Sequence, residues 1–178
     1  MAAHLNRPHA DDDLPSGTAS VACAVITVSD TRTFDTDKSG QLITTQLTAA
    51  GHSIISYQIV KDEPEQIAAE VNKLASWPQV QAILLNGGTG IAPRDTTYDA
   101  ISQLLTKELP GFGEIFRQLS YAEIGSRAIA SRAVAGIHST EHKSTLIFSV
   151  PGSSNAVKLA LEALIIPELV HLSTLLTS

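Results

Sequence analysis

The sequence predicts an α/β fold with three layers, in which a mostly parallel central sheet carries helices on both faces. Short apolar runs rich in β-branched residues alternate along the chain with amphipathic segments of helical period. The strongest of these runs are continuous rather than alternating, as expected of strands buried on both faces. Such regular alternation of the two kinds of segment favours parallel strands joined by crossover helices.

The first strand–helix unit and the strand after it have clear boundaries. Residues 21–28, VACAVITV, form a continuous apolar run and predict a buried strand. Residues 39–50 place their apolar side chains on one helix face, and Gly51 provides a natural C-terminal stop. Residues 53–60 alternate between apolar and polar side chains. This pattern predicts a strand nearer an edge of the sheet.

The next two segments repeat the pattern and end in a glycine-rich loop. Pro64 suits the first turn of a helix that continues to about Ala75. Residues 80–85 form the third predicted strand, and residues 87–94 form its loop. A helix to about Leu105 follows, with Asp95 or Thr96 as its cap.

The last third of the chain predicts one more strand among several helices. A turn at residues 110–114 opens a helix to about residue 124, whereas the alanine-rich residues 128–135 are ambiguous. Residues 145–150, TLIFSV, predict a fourth strong strand. Two helices follow, at residues 156–164 and 168–176, with Pro167 opening the second.

The composition restricts the class of protein. With 178 residues and 43% hydrophobic residues, we expect one globular domain at residues 21–178 after a disordered acidic tail at residues 1–20. The formal net charge of −6 argues against a nucleic-acid partner, which needs a surplus of cations. No run is long and apolar enough to span a membrane, and we expect residues 1–20 to be a tail and not a signal peptide, because they lack a basic segment followed by an apolar one.

Cysteine and histidine usage excludes several kinds of site. Cys23 is the single cysteine and is expected in the core, which fits a reducing cytoplasm. The histidines show no spacing typical of zinc sites, and we expect four of them at the surface or in turns: His52, His138, His142 and His171.

Four of the predicted strands end in polar or glycine-rich loops. In a parallel sheet these loops share the carboxyl edge, where ligands bind. We therefore expect one cleft there, lined by Asp30, Asp62, Asp95 and Ser153. Backbone N–H groups, Arg32 and Arg94 suit phosphate, and carboxylates beside phosphate suit Mg²⁺.

Other nucleotide and hydrolase sites lack their motifs. The sequence contains neither a G-x-x-x-x-G-K-[ST] loop nor a G-x-G-x-x-G loop after the first strand. Ser149 and Ser153 lack a G-x-S-x-G setting. Each feature alone also has a structural explanation, because a Gly-Gly turn can be only a turn and Asp95 can be only a helix cap. The functional interpretation depends on their convergence at one edge.

Taken together, residues 21–172 resemble the molybdenum-cofactor biosynthesis proteins of the MoaB/MogA type. The most specific match is NGGTGIAPRD at 86–95 followed by PGFGE at 110–114. Further matches are TVSDTR at 27–32, DKSG at 37–40, AGH at 50–52, VKDE at 60–63, SRAVAG at 131–136 and VPGSSNAV at 150–157. The sequences of the TVSDTR, EIG and SRAVAG segments are closer to MoaB than to MogA. The Thr89-Gly90 pair favours the adenylyltransferase-like branch over the molybdenum-insertion type.

The resemblance implies a Rossmann-like molybdopterin-binding fold and a nucleotidyltransferase reaction. Molybdopterin, ATP and Mg²⁺ would give adenylyl-molybdopterin and pyrophosphate. Asp62 and Asp95 match the family's functional aspartates, so the resemblance assigns them Mg²⁺ and the positioning of the two phosphates. The resemblance also implies a wider set of substrate-binding residues: Ser29, Asp30, Gly87, Gly88, Thr89, Gly90, Arg94, Glu114, Pro151, Gly152, Ser153 and Ser154.

The resemblance further implies a homo-oligomer, either a trimer or a hexamer, with other proteins of the pathway as candidate partners, and we expect it in the cytoplasm from its cysteine usage. The C-terminal helix and residues 128–136 are candidate interfaces or core. Two alternatives to adenylyl transfer stay open. One is a non-catalytic molybdopterin-binding or scaffold protein, and the other is an unrelated nucleotide-binding regulator.

Overall fold

The structure, a computed structural model, describes residues 19–177, in which one six-stranded sheet lies between two layers of helices. The strands are β1 (Ala22–Val28), β2 (Ser53–Val60), β3 (Ala82–Asn86), β4 (Lys107–Glu108), β5 (Val134–Ser139) and β6 (Ser144–Val150). The helices are α1 (Lys38–Ala49), α2 (Pro64–Ala75), α3 (Thr97–Leu104), α4 (Pro110–Ile124), α5 (Ser154–Ala160) and α6 (Ile166–Leu175). Apart from residues 19 and 20, the predicted tail lies outside the described residues, and its division from the domain stays a prediction.

The sheet topology confirms the predicted fold class. The strand order is β2-β1-β3-β6-β5-β4, and β2, β1, β3 and β6 pair in parallel. The prediction that β2 lies at an edge is confirmed. Because these four strands are parallel, the loops that follow them all open at the same edge of the sheet.

The two faces of the sheet bury separate apolar clusters. On one face, Ile43 of α1, Phe116 of α4 and Leu161 beyond α5 pack with the alternate side chains of the central strands. On the other face, Val71 of α2 and Ile101 of α3 do the same. Residues of β1 and β3 contribute to both clusters, which is why their sequences are apolar without alternation.

The sequence did not predict β4 and β5. The ambiguous residues 128–135 divide between a 3₁₀ turn at Gly125–Ala130 and the start of β5, which pairs antiparallel with β6 and with β4. At Gly136 a Cβ atom would overlap the carbonyl oxygen of Lys107, so glycine allows the close approach of β4. Alanine and glycine carry little strand propensity, and the pairing of β5 is what makes it a strand.

The C-terminal region differs from prediction in its helix boundary. The expected break before Pro167 is absent, because a π-helical segment at Leu161–Ile165 joins α5 directly to α6. Pro167 lies in the first turn of α6, where its missing N–H group is tolerated because the hydrogen-bond register changes at the π segment. None of the helices between residues 19 and 177 has the length and apolar character needed to cross a membrane.

Cys23 and two histidines lie in the interior. Cys23 is fully buried as predicted, and burial raises the pKa of its thiol to about 12. The expectation of a surface or turn position is wrong for His138, which is buried in β5, whereas His52 lies in the turn before β2 as predicted but is also buried. The Nδ1 atom of His52 accepts a hydrogen bond from the backbone N–H of Val21 at 3.2 Å, and Nδ1 of His138 lies 2.9 Å from the carbonyl oxygen of Leu104. Both rings therefore satisfy backbone groups of segments distant in sequence.

Candidate functional site

A cleft of about 590 Å³ opens at the carboxyl edge of the parallel strands. Its walls come from the loops after β1, β3 and β6 and from the 3₁₀ turn before β5. The lining residues are Val28, Ser29, Arg32, Gly87, Gly88, Thr89, Gly90, Asp95, Arg127, Ala130, Ser131, Pro151, Gly152 and Ser153. This cleft lies at the edge of the sheet where the sequence predicts the site.

The turn after β3 depends on two glycines in the left-handed region. Gly87 has φ 98° and Gly88 has φ 62°. A Cβ atom at Gly87 would overlap the carbonyl oxygen of Val28, and one at Gly88 would overlap the side chains of Thr97 and Asp62. Glycine at both positions permits this left-handed turn to pack tightly against Val28 and Asp62, and the backbone of the turn lines the cleft.

Asp62 lies directly behind this turn and holds the start of α3. Its Oδ1 atom accepts hydrogen bonds from the backbone N–H of Thr96 at 3.1 Å and from the Thr96 hydroxyl at 2.8 Å. Its Oδ2 atom has no hydrogen-bond partner among the described residues and faces the Cα atom of Gly88. Asp62 therefore fixes Thr96, the N-cap residue of α3, and keeps one oxygen without a partner beside the glycine turn.

Asp95 stands at the other end of the same loop. Its Oδ2 atom accepts the backbone N–H of Ala92 at 2.9 Å, and a Cβ atom at Gly90 would overlap this carboxylate. Asp95 lines the main cleft and also a second cavity of about 420 Å³ on the far side of the loop. Two carboxylates thus flank the glycine turn, Asp62 at Gly88 and Asp95 at Gly90.

Arg132 fixes the shape of the loop. Its Nε atom donates to the carbonyl oxygen of Thr89 at 3.0 Å, and one terminal nitrogen donates to the carbonyl of Gly90 at 2.6 Å. The other terminal nitrogen pairs with Asp99 at 3.1 Å, and the guanidinium lies over the ring of Tyr98. One side chain from the strand side of the cleft therefore ties together the loop and α3.

Arg32 and Asp37 form the opposite wall. Arg32 pairs with the fully buried Asp37 at 3.0 Å and donates to the carbonyl oxygen of Gly152 at 3.1 Å. Asp37 also accepts the backbone N–H of Gly40 and thereby caps α1. Burial alone would raise the pKa of Asp37, but hydrogen bonds from Thr27, Tyr57, Gly40 and Arg32 outweigh it and lower that pKa below its ordinary value.

A polar layer lies beneath this wall. Asn86, the last residue of β3, donates from its side-chain nitrogen to the Thr27 hydroxyl at 2.8 Å. The Ser39 hydroxyl donates to the carbonyl oxygen of Gly152 at 2.9 Å and lies 3.3 Å from the Ser154 hydroxyl. These bonds hold the loops after β1, β3 and β6 in one fixed arrangement.

The structure brings most of the predicted site residues to the cleft. Those that line it are Ser29, Gly87, Gly88, Thr89, Gly90, Asp95, Pro151, Gly152 and Ser153. Asp62 and Ser154 lie behind the lining, where Ser154 contacts Ser39.

Three predicted site residues do not line the cleft, although the Oδ1 atom of Asp30 accepts the backbone N–H of Asp62 at 3.3 Å. Asp30 forms an ion pair with Arg94, whose side chain is 69% exposed, and neither lines a described cavity. Glu114 is exposed on α4 and lines no described cavity.

Sequence reasoning did not identify Asp37, Arg127, Ser131 or Arg132 as site residues. Asp37 pairs with Arg32 nearby in the sequence, but its contact with Tyr57 and that of Arg132 with Thr89 join residues 20 and 43 positions apart, which only the fold brings together. One sequence signal could have identified Asp37 and Arg132 as site residues. They lie within the DKSG and SRAVAG segments, which match the family.

The donor set fits a magnesium ion that is shared with a phosphate ligand. Within residues 19–177 no group of three or more acidic, histidine or cysteine side chains could hold a metal ion. Magnesium usually takes one or two carboxylates and completes its shell with phosphate oxygens and water. The free Oδ2 of Asp62 and the carboxylate of Asp95 are suitable donors of that kind.

Comparison with known proteins assigns the family. The family described as the probable molybdopterin binding domain matches residues 24–171. The chain belongs to this molybdenum cofactor biosynthesis family. The match includes every strand except the first two residues of β1, and all the loops that line the cleft.

Relatives of this family are similar over nearly their whole length. Molybdenum cofactor biosynthesis protein B of Bacillus subtilis (strain 168) is 60% identical over 152 residues, which cover 85% of this chain and 87% of the relative. A crystal structure of a molybdenum cofactor biosynthesis protein B superposes with a TM-score of 0.85 at 49% identity, covering 90% of this chain and 98% of that chain.

A more distant structure is that of the tungsten cofactor synthesizing protein MoaB from Pyrococcus furiosus. It has a TM-score of 0.81 at 36% identity and covers 93% of this chain and 100% of that chain. These similarities confirm the prediction of a MoaB-like member of the family.

Proposed function

We propose that this chain binds molybdopterin in the cleft and adenylylates its terminal phosphate with Mg-ATP, releasing pyrophosphate. The observation that carries the proposal is the pair of carboxylates, Asp62 and Asp95, flanking a glycine turn that lines the cleft. No histidine lines the cleft in the described part of the chain. Such a site suits a reaction whose nucleophile needs no strong general base.

The chemistry requires alignment more than proton transfer. A phosphate monoester has a second pKa of about 6 and is already a dianion at neutral pH. One of its oxygens forms a bond to the α-phosphorus of ATP, while the bond from that phosphorus to the bridging oxygen of pyrophosphate breaks. Pyrophosphate leaves with the electron pair. The protein contributes by holding both phosphates in line and excluding competing orientations.

Each carboxylate has a separate part in this proposal. When bound, Mg²⁺ would neutralise phosphate charge between the two reactants. Asp62 offers its free Oδ2 atom while its Oδ1 atom stays fixed by Thr96. Asp95 is fixed by the N–H of Ala92 and faces the cleft directly. Gly87, Gly88, Thr89 and Gly90 would bind molybdopterin through backbone groups and a hydroxyl, and Ser29, Pro151, Gly152, Ser153 and Ser154 would complete the wall.

A second candidate is a molybdopterin-binding protein without catalysis. It is favoured by the ion pair of Asp30 with Arg94, which removes one acidic side chain of the predicted set from the cleft. It is favoured also by the position of Asp62, which fixes the N-cap residue Thr96 and lies behind the lining. Under this alternative both aspartates maintain the shape of the loop only.

Product formation separates the two candidates. Purified protein, molybdopterin and Mg-ATP are incubated, and adenylyl-molybdopterin and pyrophosphate are quantified for the wild type, Asp95→Asn and Asp62→Asn. Asparagine at 62 keeps an acceptor for the N–H of Thr96, so this hydrogen bond is retained while the charge is removed. Glu141→Gln, an exposed carboxylate in the turn between β5 and β6, is the matched control.

We expect product from the wild type and the control, and a loss of at least about a hundredfold in each aspartate variant. Molybdopterin binding without product in the wild type would move the protein to the second candidate.

Self-association is part of the proposal. Ile115, Tyr121, Ile124 and Ile129 lie on α4 and the turn after it, with exposures from 47% to 89%. Covering such side chains is a common reason for a homo-oligomer. We propose a trimer or hexamer in the cytoplasm, and light scattering coupled to size-exclusion chromatography measures the number of copies directly.

A further inference from the structure

The cations around the cleft are almost all neutralised by carboxylates. Arg32 pairs with Asp37 at 3.0 Å, Arg132 pairs with Asp99 at 3.1 Å, and Arg94 pairs with Asp30. Arg32 and Arg132 also donate to backbone carbonyl groups. These guanidinium groups are therefore occupied in building the walls and have little charge left for a ligand.

Arg127 is the exception. It lines the cleft from the 3₁₀ turn at Gly125–Ala130 and has neither a hydrogen-bond nor an ion-pair partner among the described residues. Its backbone is well anchored, because Ala128 is buried and the N–H of Ser131 donates to the carbonyl oxygen of Ala128 at 3.0 Å. The turn is fixed while the side chain is free to meet a ligand.

Arg127 would supply positive charge that the paired arginines of the wall do not. With the wall arginines neutralised, the uncompensated charges closest to the glycine turn are the carboxylates of Asp62 and Asp95. A phosphate ligand would enter this negative field in a chain whose net charge is already −6. Among the lining residues the remaining positive charge is that of Arg127.

We propose that Arg127 is a binding residue of the cleft that takes the phosphoryl oxygens of the ligand through its guanidinium fork. The inference rests on the proposed function for the presence of a phosphate ligand. Two planar N–H donors match two phosphoryl oxygens, and lysine supplies the charge without that match. The phosphoryl group belongs either to the terminal phosphate of molybdopterin or to the triphosphate of ATP.

The test compares binding of the two ligands separately. Dissociation constants are measured by equilibrium dialysis for molybdopterin alone and for ATP with Mg²⁺, each at two salt concentrations. The variants are Arg127→Gln and Arg127→Lys. Arg117→Gln is the matched control, because Arg117 lies on α4, lacks an ion-pair partner among the described residues and does not line the cleft.

We expect Arg127→Gln to weaken one of the two ligands by about tenfold to a hundredfold and to reduce the salt dependence of its binding. The ligand that weakens identifies the phosphoryl group that Arg127 contacts. Arg127→Lys is expected to recover part of the affinity, and Arg117→Gln to bind like the wild type. Unchanged affinity of Arg127→Gln for both ligands overturns the inference.

The two proposals fail in different ways. If the wild type binds both ligands without forming product while Arg127→Gln binds one of them weakly, adenylyl transfer is wrong and the role of Arg127 stands. If the wild type forms product and Arg127→Gln binds both ligands as tightly, adenylyl transfer stands and the role of Arg127 is wrong. Binding of neither ligand by the folded wild type overturns both.

Discussion

The hydroxyl of Tyr57 donates a hydrogen bond of 2.5 Å to the buried carboxylate of Asp37. Tyr57 belongs to β2 at the edge of the sheet, and Asp37 precedes α1. Burial and the adjacent Asp37 carboxylate raise the pKa of Tyr57, so the hydroxyl keeps its proton and remains a donor. Through Asp37 and Arg32, the edge strand is thus linked to the wall of the cleft.

We expect Tyr57→Phe to lower the free energy of unfolding by about 1–3 kcal/mol, because it removes a donor from a carboxylate that remains buried. The same change should raise the pKa of Asp37, so acid unfolding should begin at a higher pH. Urea unfolding at neutral pH and at mildly acidic pH measures both effects. Tyr121→Phe is the control because Tyr121 is 65% exposed, and equal losses in the two variants would contradict the role of the buried pair.

A glycine comparison tests the turn beside the site. Gly88→Ala forces a Cβ atom into the space of Thr97 and Asp62 at a φ of 62°, so it should cost about 2–4 kcal/mol of stability and displace Asp62. Gly111→Ala has open space around its Cβ position and should be neutral or slightly stabilising. Thermal unfolding and ligand dialysis on both variants give the comparison. Wild-type ligand affinity in Gly88→Ala would show that the site does not need this geometry.

Because Arg132 holds the loop after β3 by hydrogen bonds, we expect its removal to destabilise that loop locally. Removing its side chain in Arg132→Ala leaves the carbonyl groups of Thr89 and Gly90 without their donor. Amide hydrogen exchange across residues 88–95 should become at least about tenfold faster, with little change in the strands. Mass-spectrometric exchange of the wild type and the variant measures this. Uniform acceleration over the whole chain would instead indicate general destabilisation.

The lowered pKa of the buried His52 should make the stability of the fold depend on pH. Burial lowers the pKa of His52 below 6.5, and only the neutral ring accepts the N–H of Val21. The unfolded chain therefore binds more protons than the folded chain just below pH 6.5, so stability is highest above this pH and falls as pH decreases. The loss should be about 1 kcal/mol, comparable to one hydrogen bond.

His52→Asn provides the test, because an amide oxygen replaces Nδ1 as the acceptor and does not titrate. Chemical unfolding between pH 8 and pH 5 should show a flatter profile for this variant than for the wild type. His142→Gln, an exposed histidine in a turn, should leave the profile unchanged. A wild-type slope in His52→Asn would contradict the assignment.

The sequence was sufficient for the parts of the fold that have strong local signals. The runs that became β1, β3 and β6 are β-branched and apolar, and Gly87 and Gly88 end one of them. By contrast β5 contains alanine and glycine, and its strand conformation depends on antiparallel pairing with β6. The π segment at Leu161–Ile165 likewise follows from a continuous apolar helix that packs on the sheet, a contact that local propensity does not encode.

The site residues also divide into those that the local sequence predicts and those that depend on contacts between distant segments. The loops of the cleft were predictable because parallel strands must end at one edge, and Asp95 lies within such a loop. The roles of Arg132 and Asp37 depend on partners in other elements, and the pairing of Arg94 with Asp30 rather than with a ligand depends on the distance between two loops. Residue type alone could not distinguish an arginine that supports the wall from one that is free.

Cys23 can serve as an intrinsic probe for the separation of the central strands. It is the sole thiol of the chain and lies in β1, between β2 and β3. Since it is fully buried with a pKa of about 12, a thiol-specific reagent can label it only after the centre of the sheet separates. The labelling rate under native conditions therefore measures the stability of the central strands in every variant described above, without an added probe.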